Sequence, residues 1–254
     1  MTEQPAILKS LYRYPVKGLS AQALPRTVLS PSQTIPGDRI YAIENGPCGF
    51  NPAAPAYYPK QRFLMLMRNE RLAALHVDYD ETGDIVTINT DGQTTHGDLS
   101  NPHDRATIEG FFAHYCAAEL RGPPKLLFGD GHSFSDVASK VVSIINLASV
   151  ADIERAAGHP VHPLRFRGNF YVTGWPAWHE FDLLGREIVA GTARLKVVKR
   201  IKRCAATDVD PDTAIRDMTI PRTLLQSFGH ADCGVYAEVL EGGAVALGDQ
   251  LITR

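Results

Sequence analysis

Short runs of β-branched and aromatic residues, each bounded by Gly, Pro or Asp, recur along the 254 residues of this chain. Such runs are typical of β-strands, and a dozen of them in one chain favours a barrel or a sandwich. The chain is therefore predicted to be mainly β with a few helices, an α+β fold. The predicted strands are residues 6–14, 26–30, 39–44, 62–67, 75–80, 85–89, 140–146, 169–174, 187–191, 193–201, 234–240 and 250–253.

Two helices are predicted between these strands. Apolar residues from Ile108 to Leu120 recur at helical spacing, and Gly122 with two prolines ends the pattern. The second helix is predicted over residues 149–158, where Ser149 and Asp152 form a capping-box pattern and Gly158 supplies the stop. Packing explains both apolar faces, so both helices are interpreted as structural.

The segment 121–136 is rich in Gly, Pro and Ser and has no clear period. Such composition is typical of a connection between units. The chain is therefore predicted to contain a strand-rich N-terminal module over residues 1–120, a linker over residues 121–136 and a second β-rich module over residues 137–254.

Composition narrows the class of partner. The formal net charge is −2 and the isoelectric point is near 6.5, so the chain as a whole does not attract nucleic acid or anionic lipid. Its longest apolar runs are too short and too polar to span a bilayer, and its first residues lack the pattern of a secretory leader. We expect a cytoplasmic protein that binds neither nucleic acid nor membrane.

Cys204 is the residue with the most informative surroundings. It follows the basic run KRIKR (199–203) and precedes a segment of Thr and Asp. Positive charge beside a thiol favours the thiolate, which is a nucleophile and a ligand for soft metals. The other three cysteines, Cys48, Cys116 and Cys233, show no paired spacing and are interpreted as unreactive thiols. The common nucleotide-binding, zinc-protease and serine-hydrolase motifs are absent from the sequence.

Further basic residues lie at predicted strand ends and turns, where their charged heads could meet a phosphate group. An amide at Asn169 could contact the edge of a heterocycle. The residues alone are thus compatible with a cofactor that carries phosphate, and also with a β-rich module that binds some other phosphorylated ligand. The basic residues of this set are Lys17, Arg39, Arg62, Arg165, Arg167 and Arg203.

The order of several motifs resembles the MOSC family, which is named for the C-terminal domain of molybdenum cofactor sulfurase. Spacing and order look most like its two-part members, which have an N-terminal MOSC-associated β-barrel module and include the mitochondrial amidoxime-reducing component and bacterial relatives. The most specific signal is an R-C-x-x-T-x-V-D-P-D-T string with an upstream F-R-x-N. The motifs are YPVKG (14–18), GDRIYAIE (37–44), KQRFLML (60–66), RFRGNFYVTG (165–174), KRIKRCAATDVDPDT (199–213) and GVYAEVLEGGAVALGD (234–249).

The resemblance implies roles for individual residues. Cys204 matches the family cysteine whose thiolate ligates molybdenum, so it is the expected metal ligand and catalytic residue. Thr207 and Asp208 match the run that follows this cysteine and are expected to orient the loop and to make polar contacts near the metal. The residues that match positions holding the phosphate and pterin of the molybdenum cofactor are Lys17, Arg39, Arg167, Asn169 and Arg203.

The sequence departs from the family pattern at three places. Gly18 stands where close relatives often have serine, Gly168 where proline is usual, and Lys202 where the mitochondrial members have serine. Lys202 is expected to make the mouth of the substrate site more positive.

The resemblance implies a molybdenum-dependent oxidoreductase that reduces N-hydroxylated or N-oxygenated small molecules. The chain carries no ferredoxin-type cysteine pattern, so we expect electrons from a separate ferredoxin-, flavodoxin- or cytochrome-type protein. The alternative is a protein that carries molybdenum cofactor or transfers sulfur as a persulfide on Cys204.

Overall fold

The computed structural model of the chain describes residues 4–90 and 92–254. The described residues form fifteen strands and three α-helices, which confirms the prediction of a mainly β fold with few helices. The strands are β1 (Ala6–Arg13), β2 (Gln22–Ala23), β3 (Arg26–Leu29), β4 (Tyr41–Glu44), β5 (His76–Asp80), β6 (Ile85–Thr90), β7 (Gln93–Asp98), β8 (Lys125–Phe128), β9 (Val142–Asn146), β10 (Phe170–Thr173), β11 (Glu187–Ala190), β12 (Ala193–Lys202), β13 (Asp232–Glu241), β14 (Gly243–Ala246) and β15 (Gln250–Thr253). The α-helices are α1 (Pro102–Tyr115), α2 (Leu147–Ala157) and α3 (Ile220–Phe228), and short 3-10 helices span Lys60–Arg62, Glu70–Ala74, Pro163–Phe166, His179–Phe181 and Ala205–Asp208.

Seven strands close into a barrel. Their order is β10-β9-β13-β12-β11-β15-β1, and β1 closes the ring because it pairs with β15 on one side and β10 on the other. The β9–β10 pair of this ring is parallel, and α2 lies between those two strands in the chain. Alternate residues of the strands point inward, as a barrel wall requires. Leu8, Val197 and Val235 are among the fully buried residues of this interior.

A second core lies outside the barrel. The pair β4–β8, the sheet β5-β6-β7 and helix α1 enclose an apolar cluster that includes Leu72, Val86, Ile88 and Phe112. The antiparallel β5–β6 hairpin turns at residues 81–84, between the two strands predicted there.

Strand pairing crosses the predicted boundary between modules. Strand β1 belongs to the barrel of the second module, and β3 pairs with β14 near the end of the chain. The predicted linker 121–136 contains β8, which pairs with β4. The division into modules 1–120 and 137–254 therefore stays a prediction about folding units, while the hydrogen bonding joins them.

The prediction of a strand over residues 62–67 is wrong. Phe63 alone of these residues bridges to Glu44, and the chain then turns because the Asn69 side chain accepts from the Met65 amide at 3.0 Å. All four residues from Phe63 to Leu66 are buried. A short apolar run that is buried on every side gives no alternation, so sequence alone does not distinguish strand from turn here.

The capping box predicted at Ser149 is also wrong. Helix α2 begins two residues earlier, and Asn146 caps it by accepting from the Ala148 amide at 3.1 Å. The Ser149 hydroxyl instead donates to the buried Glu180 carboxylate at 2.8 Å. The Ser149 side chain, which the local pattern assigned to the helix cap, therefore binds Glu180 outside the helix. Gly158 ends the helix with φ 72°, as predicted.

Four strands and one α-helix were not predicted from the sequence: β2 has only two residues, and the other four elements lack a local signal. Strand β7 (QTTHGD) is mostly polar, β14 (GAVA) is made of small residues, and β8 lies in a segment dominated by Gly and Pro. Helix α3 begins with Ile-Pro, and its cap residue Thr219 makes no side-chain capping bond. The longest helix, α1, has 14 residues, and within the described ranges none is both long and apolar enough to cross a bilayer.

Candidate functional site

A cleft of about 260 Å³ collects most of the predicted site residues. Its walls come from the loop after β1, three 3-10 helices, the loop before β9 and the end of β12. Of the residues described, nine basic ones line it and one acidic one, Asp136. Such a surplus of positive charge in a concave site attracts an anionic ligand. The basic residues are Lys17, Arg39, Lys60, Arg165, Arg167, Lys199, Arg200, Lys202 and Arg203.

Cys204 lies in this cleft, where β12 has ended and a 3-10 helix begins. Its side chain is half-buried, and its backbone is held because the amide and the hydroxyl of Thr207 both donate to the Cys204 carbonyl, at 3.0 and 2.9 Å. The sulfur accepts from the Lys60 ammonium at 3.2 Å. The thiol thus has a fixed backbone, a cationic neighbour and an open side toward the cleft.

Lys60 was not among the predicted site residues. It lies on the 3-10 helix after a loop rich in Pro and Gly, and it contacts both Cys204 and Asp136. Burial alone would lower the pKa of Lys60, but the charges of Asp136 and Cys204 outweigh it and raise that pKa. Arg62 was the predicted basic residue of this segment, but it is exposed and lies outside the cleft. The available signal in the sequence was a basic residue beside a loop rich in Gly and Pro. Lys60 and Arg62 both fit that signal, so the sequence does not distinguish them.

Asp136 joins Lys60 to Lys17. The buried Lys17 ammonium donates to the Phe134 carbonyl at 2.8 Å and to Asp136. Burial lowers the pKa of Lys17, although the charge of Asp136 opposes that shift. Burial would raise the pKa of Asp136, but Lys17 and Lys60 hold it below its ordinary range. Asp136 therefore remains ionised between two lysines at neutral pH.

Arg39 and Arg167 both stack on Tyr14, with their guanidinium carbons 4.8 and 4.3 Å from the ring centroid. Arg39 also forms an ion pair with the buried Asp38 and donates to the Arg167 carbonyl at 3.1 Å. Arg167 donates to the Leu19 carbonyl at 2.7 Å. The two arginines lie on separate parts of the chain, and a fully buried tyrosine between them fixes their distance.

Both arginines have left-handed backbone conformations, with φ 54° for Arg39 and 49° for Arg167. This conformation costs about 1–2 kcal/mol for a residue with a Cβ. Strain of this kind persists where surrounding contacts over-determine the backbone, and it concentrates at functional sites. At these two turns the contacts of the guanidinium groups therefore compensate for the cost of the left-handed backbone.

Asn169 lines the cleft, and its amide makes three hydrogen bonds within the protein. Its Oδ1 accepts from the Ser143 amide and hydroxyl, at 3.0 and 2.7 Å, and its Nδ2 donates to the Tyr12 carbonyl at 3.1 Å. Asn169 therefore ties β9 to β1 in this structure. The second N–H of Nδ2 takes part in none of the hydrogen bonds among the described residues, so it remains available for the predicted contact with a heterocycle edge.

Arg203 is likewise tied to the protein. Its guanidinium donates to the Phe166 carbonyl at 2.7 Å and to the Cys233 carbonyl at 2.8 Å, and it stacks on the Phe166 ring. Arg203, which follows β12, thereby joins the segment before Arg167 to β13. Its charge remains in the cleft wall.

Asp208 does not line the cleft. Its carboxylate accepts from the Ile220 amide at 2.7 Å, at the beginning of α3, and burial raises the pKa of this group. Thr207 does line the cleft and holds Cys204 as described. The two residues after the cysteine thus divide into one that fixes the thiol and one that anchors the following helix.

Gly168 has a packing reason to be glycine. A Cβ at this position would lie 2.3 Å from the Ile145 Cγ1 atom, and the Gly168 amide donates to the Tyr171 hydroxyl at 2.9 Å. A proline would remove that donor and meet Ile145. The departure from the usual proline is thus matched by the neighbouring side chains.

Cys204 is the cysteine of the cleft wall, and Cys48, Cys116 and Cys233 lie outside it. Among the residues described, no group of three or more His, Cys, Asp or Glu side chains is placed to hold a metal ion. A metal at Cys204 would therefore take its other ligands from the group that carries it.

Several proteins of known sequence are similar to this chain in part. It is 31% identical over 122 residues to mitochondrial amidoxime reducing component 2 of Bos taurus, covering 42% of this chain and 35% of that protein. It is 32% identical over 89 residues to mitochondrial amidoxime-reducing component 1 of Homo sapiens, covering 35% of this chain and 26% of that protein. The chain thus matches about a third or less of the length of these curated relatives.

Two solved structures are also similar in part. The YuaD protein of Bacillus subtilis is 14% identical over 100% of this chain and 98% of its own, with a TM-score of 0.45. YiiM of Geobacillus stearothermophilus is 24% identical over 44% of this chain and 53% of its own, with a TM-score of 0.36.

Two family models match successive parts of the chain. The MOSC N-terminal beta barrel domain matches residues 5–112, and the MOSC domain matches residues 123–252, which include the cleft residues from Asp136 to Tyr236. These matches together span most of the sequence, and the chain belongs to the MOSC family.

Proposed function

We propose that this chain binds the molybdenum cofactor and reduces N-hydroxylated or N-oxygenated small molecules. One observation carries the proposal: a half-buried cysteine lies in a cleft whose described wall has nine basic residues and one acidic residue. A cleft of this kind suits an anionic cofactor that also needs a thiolate ligand. The partial similarity to the amidoxime-reducing components supports the reaction class.

The residues present fit the cofactor. Lys17, Arg39 and Arg167 would hold its phosphate, since an arginine can bind a phosphate through two parallel hydrogen bonds and lysine adds a point charge. Cys204 would be the protein ligand of molybdenum.

When bound, the cofactor supplies the two-electron oxygen-transfer chemistry that side chains lack. The overall reaction takes an N-hydroxylated compound, two electrons and two protons to the reduced compound and water. The chain's own part is to position groups. Thr207 holds the backbone of Cys204, Lys60 fixes the direction of its sulfur, and Tyr14 keeps Arg39 and Arg167 at a constant separation.

The electrons would come from a separate ferredoxin-, flavodoxin- or cytochrome-type protein, which is the class of donor that the family resemblance implies. A cytoplasmic location belongs to the same proposal.

Protein from a molybdate-supplied host tests the proposal directly. We expect molybdenum and the pterin at close to one per chain, and reduction of benzamidoxime with a chemical electron donor. Cys204→Ala should abolish turnover while the protein keeps most of its pterin, since the phosphate contacts are separate residues. Cys48→Ala is the matched control, because Cys48 is also half-buried but lies outside the cleft.

Full turnover by Cys204→Ala would defeat the assignment of the metal ligand. Protein without molybdenum or pterin would defeat cofactor binding and favour a module for another phosphorylated ligand. Bound cofactor without turnover, together with a persulfide on Cys204, would favour the alternative of cofactor carriage or sulfur transfer.

A further inference from the structure

The basic residues of the cleft divide into two groups by their partners. Most are tied to the protein: Lys17 and Lys60 to Asp136, Arg39 to Asp38, and Arg203 to two backbone carbonyls. The side chains of Lys199, Arg200 and Lys202 make no hydrogen bond or ion pair among the residues that the structure describes, but the Arg200 guanidinium stacks on the Phe181 ring at 4.2 Å, so Lys199 and Lys202 are the two without such a partner. Both side chains are exposed, and both still line the cleft.

The position of these two lysines relates them to the thiol. Both lie near the end of β12, just before Cys204, and Lys202 is two residues from it. Their cross-strand neighbours on β13 are Tyr236 and Asp232, respectively. Asp232 forms no ion pair with Lys202 despite this register. Two uncompensated positive charges therefore stand at the mouth of the cleft, on the side of the sulfur.

A solvated charge on an exposed strand usually needs no explanation. Here the buried part of the cleft already holds the cations that a cofactor phosphate requires, namely Lys17, Arg39 and Arg167. Lys199 and Lys202 are too exposed to serve that buried phosphate, yet they border the space through which a small molecule reaches Cys204. Their two positive charges would attract a small molecule that carries negative charge and would repel one that carries positive charge.

We infer that the site prefers N-hydroxylated substrates that carry an anionic group such as a carboxylate, and that Lys199 and Lys202 bind this group. The inference rests on the proposed reductase function. It adds a substrate class to that function. The preference is the ratio of kcat/KM for an anionic substrate to kcat/KM for its neutral counterpart. Each exposed lysine should raise this ratio roughly threefold at low salt, so the pair should raise it about tenfold.

The test compares benzamidoxime with 4-carboxybenzamidoxime, which differ by one carboxylate. Holoprotein and a chemical electron donor are used, so that no donor protein competes for the charged surface. We expect kcat/KM to be about tenfold higher for the carboxylated compound at low ionic strength, and the ratio to approach one at about 0.5 M salt, where the screening length is only a few ångströms. The variant Lys199→Ala/Lys202→Ala should lose the preference.

Lys196→Ala is the matched control. Lys196 is exposed on the same strand, opposite Glu238, but does not line the cleft, so its removal should leave the ratio of the two kcat/KM values unchanged. Equal ratios for the wild type and the double variant, or a preference lost equally in Lys196→Ala, would overturn the inference.

A binding measurement separates failure of this inference from failure of the proposed function. If neither compound is reduced, the reductase proposal fails, and calorimetric binding of the two compounds decides the inference. Tighter binding of the carboxylated compound that disappears in the double variant would support it. Equal affinity for both compounds would overturn it.

Discussion

The ion pair between Arg39 and Asp38 separates the structural role of a site arginine from its proposed role in binding. Asp38 is 1% exposed, and its two oxygens accept from the Tyr14 amide at 2.8 Å and from the Arg39 guanidinium. Arg39→Met keeps the aliphatic stem but leaves one oxygen of a buried carboxylate without its partner. The loss of a charged partner in the interior is among the costliest single changes.

The structure sets the size of the effect. Removing one partner of a fully buried ion pair lowers the free energy of unfolding by about 3–5 kcal/mol. The Arg39 side chain is 17% exposed, so water reaches part of the site and the lower end applies. We expect Arg39→Met to reduce the free energy of unfolding by about 3 kcal/mol, which lowers Tm by about 6–12 °C in a chain of this size.

The double variant Asp38→Asn/Arg39→Met provides the decisive comparison. The amide oxygen that this change puts in place of the Asp38 carboxylate can still accept from the Tyr14 amide, and no buried charge remains, so most of the lost stability should return. Urea unfolding of the wild type, the two single variants and the double variant measures how much of the free energy of unfolding returns. Both variants that lack the arginine should nevertheless contain less cofactor than wild type, because the phosphate ligand is missing. A double variant as unstable as Arg39→Met would refute the explanation by an unpaired carboxylate.

Two further changes test the wall of the cleft. Asp136→Asn should lower stability at pH 7. Because Lys17 and Lys60 depress the pKa of Asp136 in the folded protein, its contribution is present above the ordinary Asp pKa of about 4 and is lost as pH falls below it, so unfolding from about pH 6 to about pH 3 should show the two proteins converging. Gly168→Ala should lower stability by about 1–3 kcal/mol, since its Cβ would lie 2.3 Å from Ile145 Cγ1. Gly110→Ala in α1, where no atom lies within 4 Å, should be neutral or stabilising, and thermal unfolding compares the two. A stability gap that persists undiminished at the acid end, or equal Tm changes for the two glycines, would contradict these explanations.

The cleft shows how one chain can hold many like charges together. Burial of Lys17 and Arg39 is offset by Asp136 and Asp38, and the guanidinium groups of Arg39 and Arg167 share Tyr14 as a stacking surface. Lys17 and Arg39 thus each have an acidic partner within the protein, and Arg167 is held by the Leu19 carbonyl and the Tyr14 ring. An anionic ligand would then add to an arrangement that is already stable, so its binding need not cause the cleft to form.

The sequence by itself determined the strand-rich character of the fold and the identity of several residues that meet in the cleft. Alternating β-branched and aromatic runs depend on the two-residue period of a strand, which is a local property. The motif around Cys204 and the separate motifs carrying Lys17, Arg39 and Arg167 are also readable in order along the chain. The structure then brings these four residues to one cleft wall.

Only the tertiary structure decided which partner each group has. Lys60 contacts a sulfur 144 residues away in sequence, Ser149 gives its hydroxyl to Glu180 in place of a helix cap, and Asn169 uses its amide to join β9 and β1. No local pattern encodes these contacts. Hydrogen bonding and ion pairing in a buried site depend on which distant segments packing brings within about 3 Å, and that is a property of the whole fold.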